Sequence, residues 1–219
     1  TYGGLLPNIG FNAYGIAQMC DSVYPNDSRI GTPRVVVSRA VLASRTPDDA
    51  LRHMLSAQRA AGYNHMLVHE SGELYSVEVS ARKFAVLYGE DGYIVHTNNY
   101  LSPVMQQVER EPEDLVASRV RYHRALRLIK REEKHTIKTL QTIQRDHVNF
   151  SNSICNHAIE GRELDREKTI NALVIDLTAR QMHIERYITS GLATVSPRDR
   201  TQLKKSSMWF GCFGVLPRT

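Results

Sequence analysis

Residues 62–101 read GYNHMLVHESGELYSVEVSARKFAVLYGEDGYIVHTNNYL, and four short apolar-alternating runs fall within them, at 65–69, 74–79, 84–87 and 93–96. Ser71-Gly72 and Glu90-Asp91-Gly92 stand between runs and supply turn chemistry. Period-two alternation broken by glycine-bearing turns predicts a β-meander. The last run, Tyr93-Ile94-Val95, passes directly into His96-Thr97-Asn98-Asn99. A strand that turns from apolar to imidazole, hydroxyl and amide has reached a surface or a site. The rest of the chain can be placed around this frame.

Upstream, runs at 5–10 and 15–19 flank Phe11-Asn12-Ala13-Tyr14-Gly15, a hairpin signal. Residues 22–33, rich in Pro, Asn, Asp, Ser and Gly, predict a loop, and 35–43 are apolar at helical spacing. Thr46 then has the character of an N-cap, with Pro47 at the first helical position and Asp48-Asp49 at the positive helix end. This helix is expected over 48–61, ending at Gly62. Downstream, Ser102-Pro103 breaks the chain and helices are expected at 113–130 and 136–145. Residues 146–157 read as an irregular loop, and strands at 171–176 and 181–187 close the pattern around Thr178-Ala179-Arg180. Strand runs alternating with helix pairs predict an α+β fold of stacked layers, not a wound βαβ sheet. The pattern holds over residues 1–191 and weakens over 192–219, where 196–207 are polar and basic and 208–216 carry Trp209, Phe210 and Phe213. Residues 1–191 are expected to form the core, with 192–219 a tail whose structure the pattern does not determine.

With 219 residues, 42% of them hydrophobic and 23% charged, the chain can bury an ordinary globular core. No apolar run approaches the length of a membrane span and no signal-peptide pattern opens the chain, so no membrane partner is expected. Thr1 in place of an initiator Met points to a processed chain or a fragment. The net charge of +5 does not suffice for nucleic-acid binding, because the basic residues of 119–138 alternate with Leu, Ile and Glu as on a solvated helix face. Cys20, Cys155 and Cys212 form no CxxC pair, which indicates neither a disulfide framework nor a zinc site. A reducing, cytoplasmic setting fits best.

Four polar clusters interrupt the apolar frame. Asn12 in Gly10-Phe11-Asn12 reads either as a turn residue or as a site amide. Asn98 at the strand end can either cap the strand or present an amide donor to a developing oxyanion. Asp146-His147 with Ser153-Ile154-Cys155-Asn156-His157 reads as a local hydrogen-bonded loop, since catalytic groups are assembled across a fold more than along a chain. In Ser118-Arg119-Val120-Arg121-Tyr122-His123-Arg124, Arg121 and Arg124 lie three apart on one helix side, where one could reach inward to a carboxylate.

The order of these motifs carries more than any one of them. Residues 1–15, Gly31-x-Pro33, Val77-Glu78, His96-Thr97-Asn98, Ser118-x-x-Arg121-x-x-Arg124, and Asp146-His147 followed by Ser153-Ile154-Cys155 together resemble the peptidase C45 family. That family comprises the acyl-coenzyme A:6-aminopenicillanate acyltransferase and its hydrolase relatives, and the resemblance spans residues 1–187.

The resemblance implies an N-terminal-nucleophile hydrolase, a four-layer αββα sandwich matured by self-cleavage, here with its N-terminal part missing. The nucleophile would be an N-terminal Cys whose own α-amine acts as base. Asn98 resembles the oxyanion-hole Asn. Asn12 resembles a site Asn of the wider bile-salt-hydrolase-like superfamily, and Arg121 the helix Arg that approaches the site. The family's nucleophilic Cys precedes the strand that begins at Thr1, and none of Cys20, Cys155 and Cys212 matches it. A partial sequence, a separate chain carrying the missing strands, or Thr1 itself as nucleophile would each account for this. The implied reaction is amide hydrolysis or acyl transfer on small N-acyl amines or amino-acid conjugates, with no bound cofactor or metal and a coenzyme A thioester as an allowed acyl donor. The alternatives from other classes are an inactive remnant or binding module of the same fold, and a basic helical nucleic-acid binder.

Overall fold

In the computed structural model, which describes residues 6–157, 168–186 and 212–215, five antiparallel strands pair in chain order. They are β1 (Gly10–Phe11), β2 (Ile16–Asp21), β3 (Tyr63–His69), β4 (Leu74–Val79) and β5 (Phe84–Tyr88). Helices α1 (Arg34–Ala43) and α2 (Pro47–Met54) lie between β2 and β3. After β5 come β6 (Tyr93–His96), the short α3 (Pro103–Gln106), a 3-10 turn at Pro112–Leu115, α4 (Val116–Arg131) and α5 (Ile137–Gln144). Strands β7 (Asn171–Asp176) and β8 (Gln181–Arg186) form a hairpin, and β9 is Cys212–Val215. The α+β class is as the pattern predicts. Leu5 at the start of the expected run at 5–10 and the polar stretch 196–207 lie outside the described residues, as does Tyr187 at the expected end of β8.

Alternation within the strands sorts the core into two faces of the large sheet. Ile16, Cys20, Tyr63, Leu67, Val77 and Val79 pack with Val41 of α1 and with Ala50 and Met54 of α2. On the opposite face Ala17, Met66, Val68 and Leu74 meet Ile94 of β6, with Ile175 of β7 packed against them. Val95 of β6 joins Ala125, Ile129 and Ile143 of α4 and α5. Strand β6 is therefore covered on both sides, Ile94 against the sheet and Val95 against the helices. Two-sided burial is the physical reason that the adjacent Ile94 and Val95 are both apolar, where strict alternation would make one of them polar.

That geometry corrects the expected four-strand meander. Strands β3, β4 and β5 form one, but the turn at Gly92 (φ 80°) carries β6 out of the sheet, where it pairs antiparallel with β9. Residues 212–215, within the 192–219 tail, supply the strand partner.

Two helices begin where capping chemistry places them. Thr46 accepts the Asp49 N–H through its side chain, with Pro47 and two acidic residues in the first turn. Thr136 and Thr139 form a reciprocal capping box at the start of α5. Helix α2 ends at Met54, well before the expected Ala61, because tertiary pairing takes over the chain. Thr32 N–H donates to Gln58 O at 2.6 Å and Ala60 N–H to Thr32 O at 3.1 Å. The approach is close enough that a Cβ on Gly31 would sit 2.4 Å from the Gln58 carbonyl oxygen.

Candidate functional site

Strand register sets three polar residues side by side on the inner face of the sheet. Asp21 of β2 pairs with Asn64 of β3, which pairs with Glu78 of β4. Their alternation partners Cys20, Tyr63, Val77 and Val79 point at the helices, so these three point at β6. His96, the last residue of β6, lies against this row. Its Nδ1 is 3.1 Å from Asp21 Oδ2 and its Nε2 is 2.9 Å from Glu78 Oε1, and all three side chains are fully buried. Glu78 also accepts the backbone N–H groups of Leu101 at 2.5 Å and Ser102 at 3.0 Å. Ser76 donates to Asn64 Oδ1 at 2.8 Å, which fixes the amide between the carboxylates.

Burial alone works against a charged imidazole at His96. The hydrogen bonds and negative charge of Asp21 and Glu78 outweigh it, pushing its pKa up to about 9. His65 supplies the contrast. It is equally buried, on the helix side of the sheet, but its Nδ1 meets the neutral Gln18 Oε1 at 3.1 Å. Desolvation, with Arg59 adding to it, drives its pKa down to about 3. Near neutral pH the two buried histidines thus carry opposite charge states, set by their partners.

From His96 the chain continues into the polar segment singled out by sequence. Asn98 is buried, its Nδ2 donating to Ser22 O at 3.1 Å and its Oδ1 accepting from Arg121 Nη2 at 3.1 Å. Beside it Ser118 Oγ donates to Asn99 Oδ1 at 2.8 Å, and Thr97 Oγ1 donates to Ser118 O at 3.2 Å. The buried side of α4 therefore reads Ser118, Arg121, Ala125, Ile129, polar at its N-terminal half because Thr97, Asn98 and Asn99 meet it there. Val116 and Val120 are turned away, exposed by 61% and 41%. They wall a cleft of about 400 Å³ together with Arg119, Arg121, Arg124 and Ile154. Arg124, on the cleft side, meets a carboxylate and holds Asp146 through two hydrogen bonds of 3.0 and 2.6 Å.

The structure thus joins Asn98 to Arg121 and leaves Asn12 elsewhere. Asn12 Oδ1 accepts from Tyr14 and Ile16 N–H, while Nδ2 donates to Leu42 O and Ser44 O. Both ends of the amide are spent clamping the β1–β2 turn to the C-terminus of α1, the behaviour of a turn asparagine.

A family model for acyl-coenzyme A:6-aminopenicillanic acid acyl-transferase matches residues 7–186. The chain belongs to this family. No curated protein matches it closely enough to count as a relative. Within this acyltransferase family the activity in view is acyl transfer or the corresponding hydrolysis. The motif order named Glu78 and His96 along with Asn98 and Arg121, but did not show that Glu78 and His96 meet, or that Asp21 joins them. Asp21 and Glu78 were the available signal, as acidic residues at inward positions of otherwise apolar strands.

Proposed function

We propose that the protein cleaves or transfers the acyl group of small N-acyl amines or amino-acid conjugates, through a thioester on an N-terminal Cys borne by a segment preceding Thr1. The observation that carries this reading is the hydrogen bond from Arg121, which lines the arginine-rich cleft, to the buried Asn98, in a chain of the acyltransferase family. The αββα order expected of such a hydrolase is supported by the succession of packings, α1 and α2 on the sheet, the sheet on β6 and β7, and β6 on α4 and α5.

In this reading Asn98 is the oxyanion donor. An amide has two N–H groups. One is held by Ser22 O, and Arg121 on the amide oxygen stops the group from flipping and polarises it. The second N–H is then preorganised for negative charge that develops on the attacked carbonyl. The His96, Asp21 and Glu78 group supports this from behind by fixing the end of β6, two residues before Asn98. Arg121 and the cleft arginines suit a substrate carboxylate, or the phosphates of a coenzyme A thioester, with the valine wall against the apolar acyl chain. Asn12 is the clamp of the β1–β2 turn in this scheme. The partner is a small molecule, with no metal or cofactor assigned a step.

The test uses a longer chain that includes the preceding segment and an N-terminal Cys. Asn98→Ala should lower kcat by roughly 10²–10³-fold, the scale for one oxyanion donor. Unchanged turnover in that variant would remove Asn98 from the reaction. A correctly processed wild-type chain without activity on any N-acyl amine would leave the fold as an inactive remnant or binding module.

A further inference from the structure

The loop between α5 and β7 gathers three metal-ligating side chains that take no part in the site above. His147 Nε2 and His157 Nε2 lie 2.9 Å apart, and Cys155 Sγ is 3.6 Å from His157 Nε2. All three ligand atoms fall within 4.8 Å of one another. We propose that His147, Cys155 and His157 bind a single transition-metal ion of the Zn²⁺ class, with water at the fourth position.

The distances support this. With Zn–N near 2.0–2.1 Å and Zn–S near 2.3 Å, tetrahedral ligands sit about 3.3 Å (N to N) and about 3.6 Å (N to S) apart. The Cys155–His157 pair already has that separation. The two imidazoles need to part by only about 0.4 Å, a small ring movement. Two imidazoles and a thiolate are the donors that select Zn²⁺ over Mg²⁺ or Ca²⁺.

The loop is also held in shape for the task. Arg124 grips Asp146 at one end, Cys155 N–H donates to Asp146 O at 3.0 Å, and His157 N–H donates to Ser151 O at 3.2 Å. On binding, the Cys155 thiol gives up its proton to solvent as the S–metal bond forms. Sequence spacing could not show this, since His147 and the Cys155-x-His157 pair match no common zinc motif. Because Ile154 lines the arginine cleft, a metal here would stiffen that wall.

The test titrates the 219-residue chain, free of any metal-binding tag, with Co²⁺ and separately measures Zn²⁺ content by elemental mass spectrometry. Expected are one equivalent of either metal, intense visible bands of tetrahedral Co²⁺, and a near-ultraviolet thiolate-to-cobalt band. Cys155→Ser should abolish the near-ultraviolet band. His147→Ala changes an exposed residue and so spares the core. It should weaken Co²⁺ binding by no less than the roughly 10–100-fold that outer-shell partners cost. Absence of saturable binding, or a thiolate band that survives Cys155→Ser, or His147→Ala binding Co²⁺ as wild type does, would each overturn the site. In the first case the pair is an imidazole–imidazole hydrogen bond and nothing more.

Discussion

A histidine's charge in this protein depends on which face of one sheet it occupies. His96, between two carboxylates, is pushed up to about 9, and His65, beside a neutral amide, is driven down to about 3. Linkage gives the two opposite consequences. For His96 the folded state binds the proton more tightly than the unfolded chain. Its contribution is complete below the unfolded value of about 6.5 and is lost as pH rises through about 9. For His65 the folded state resists the proton, so its contribution is complete above about 6.5 and lost as pH falls toward about 3. Urea unfolding across pH should show a stability maximum near pH 6.5, with each arm falling by up to about 1.4 kcal/mol per pH unit. His96→Gln should flatten the alkaline arm and His65→Gln the acid arm. An alkaline arm of full slope in His96→Gln would contradict the charged-imidazole assignment. That variant also leaves two buried carboxylates without their cation and should cost about 3–5 kcal/mol at neutral pH.

Among the elements, the ones read correctly from sequence are those whose ends are fixed by near neighbours. Thr46, Pro47 and Asp48-Asp49 all act within one helical turn, and α2 begins at Pro47. Thr46→Ala removes one side-chain acceptor from an exposed helix start and should cost about 1 kcal/mol in urea unfolding, with the slope of the transition unchanged. The end of α2 falls short of Ala61 because it is decided by Thr32, distant in sequence, which draws Gln58 and Ala60 into backbone pairing. Strand β6 shows the same split. Its existence follows from composition, but its departure from the meander follows from a second layer of structure waiting to cover its other face.

At the scale of the whole molecule, the match to the acyltransferase family ends at residue 186, yet β9 lies beyond it and pairs with every residue of β6. A chain truncated after residue 191 should therefore be destabilised although the family match is intact. Losing the β6 ladder removes a few backbone hydrogen bonds worth about 0.5–1.5 kcal/mol each. For a chain of this size the melting temperature should drop by about 5 °C or more by differential scanning calorimetry. An unchanged melting temperature would show that 1–191 is a self-sufficient unit and that β9 is dispensable. Truncation also frees the edge beside His96, so it should speed hydrogen exchange at Val95 and His96 before it unfolds the large sheet.

By itself the sequence determined what short-range chemistry controls. Strands β3 to β5 follow from period-two alternation, the β3–β4 turn from Ser71-Gly72, and the starts of α2 and α5 from their caps. The ordered motifs also identified the family, and the polar end of β6 marked Asn98. Tertiary structure alone decided which groups share a site. Asp21 and His96 meet across 75 positions, Arg121 and Asn98 across 23, and the Asp21–Asn64–Glu78 row exists only through the register of three strands. The reason is physical. Periodicity and capping are fixed by neighbours within a few residues, whereas the charge of a buried imidazole and the aim of a buried arginine are fixed by whatever the fold brings within about 3 Å.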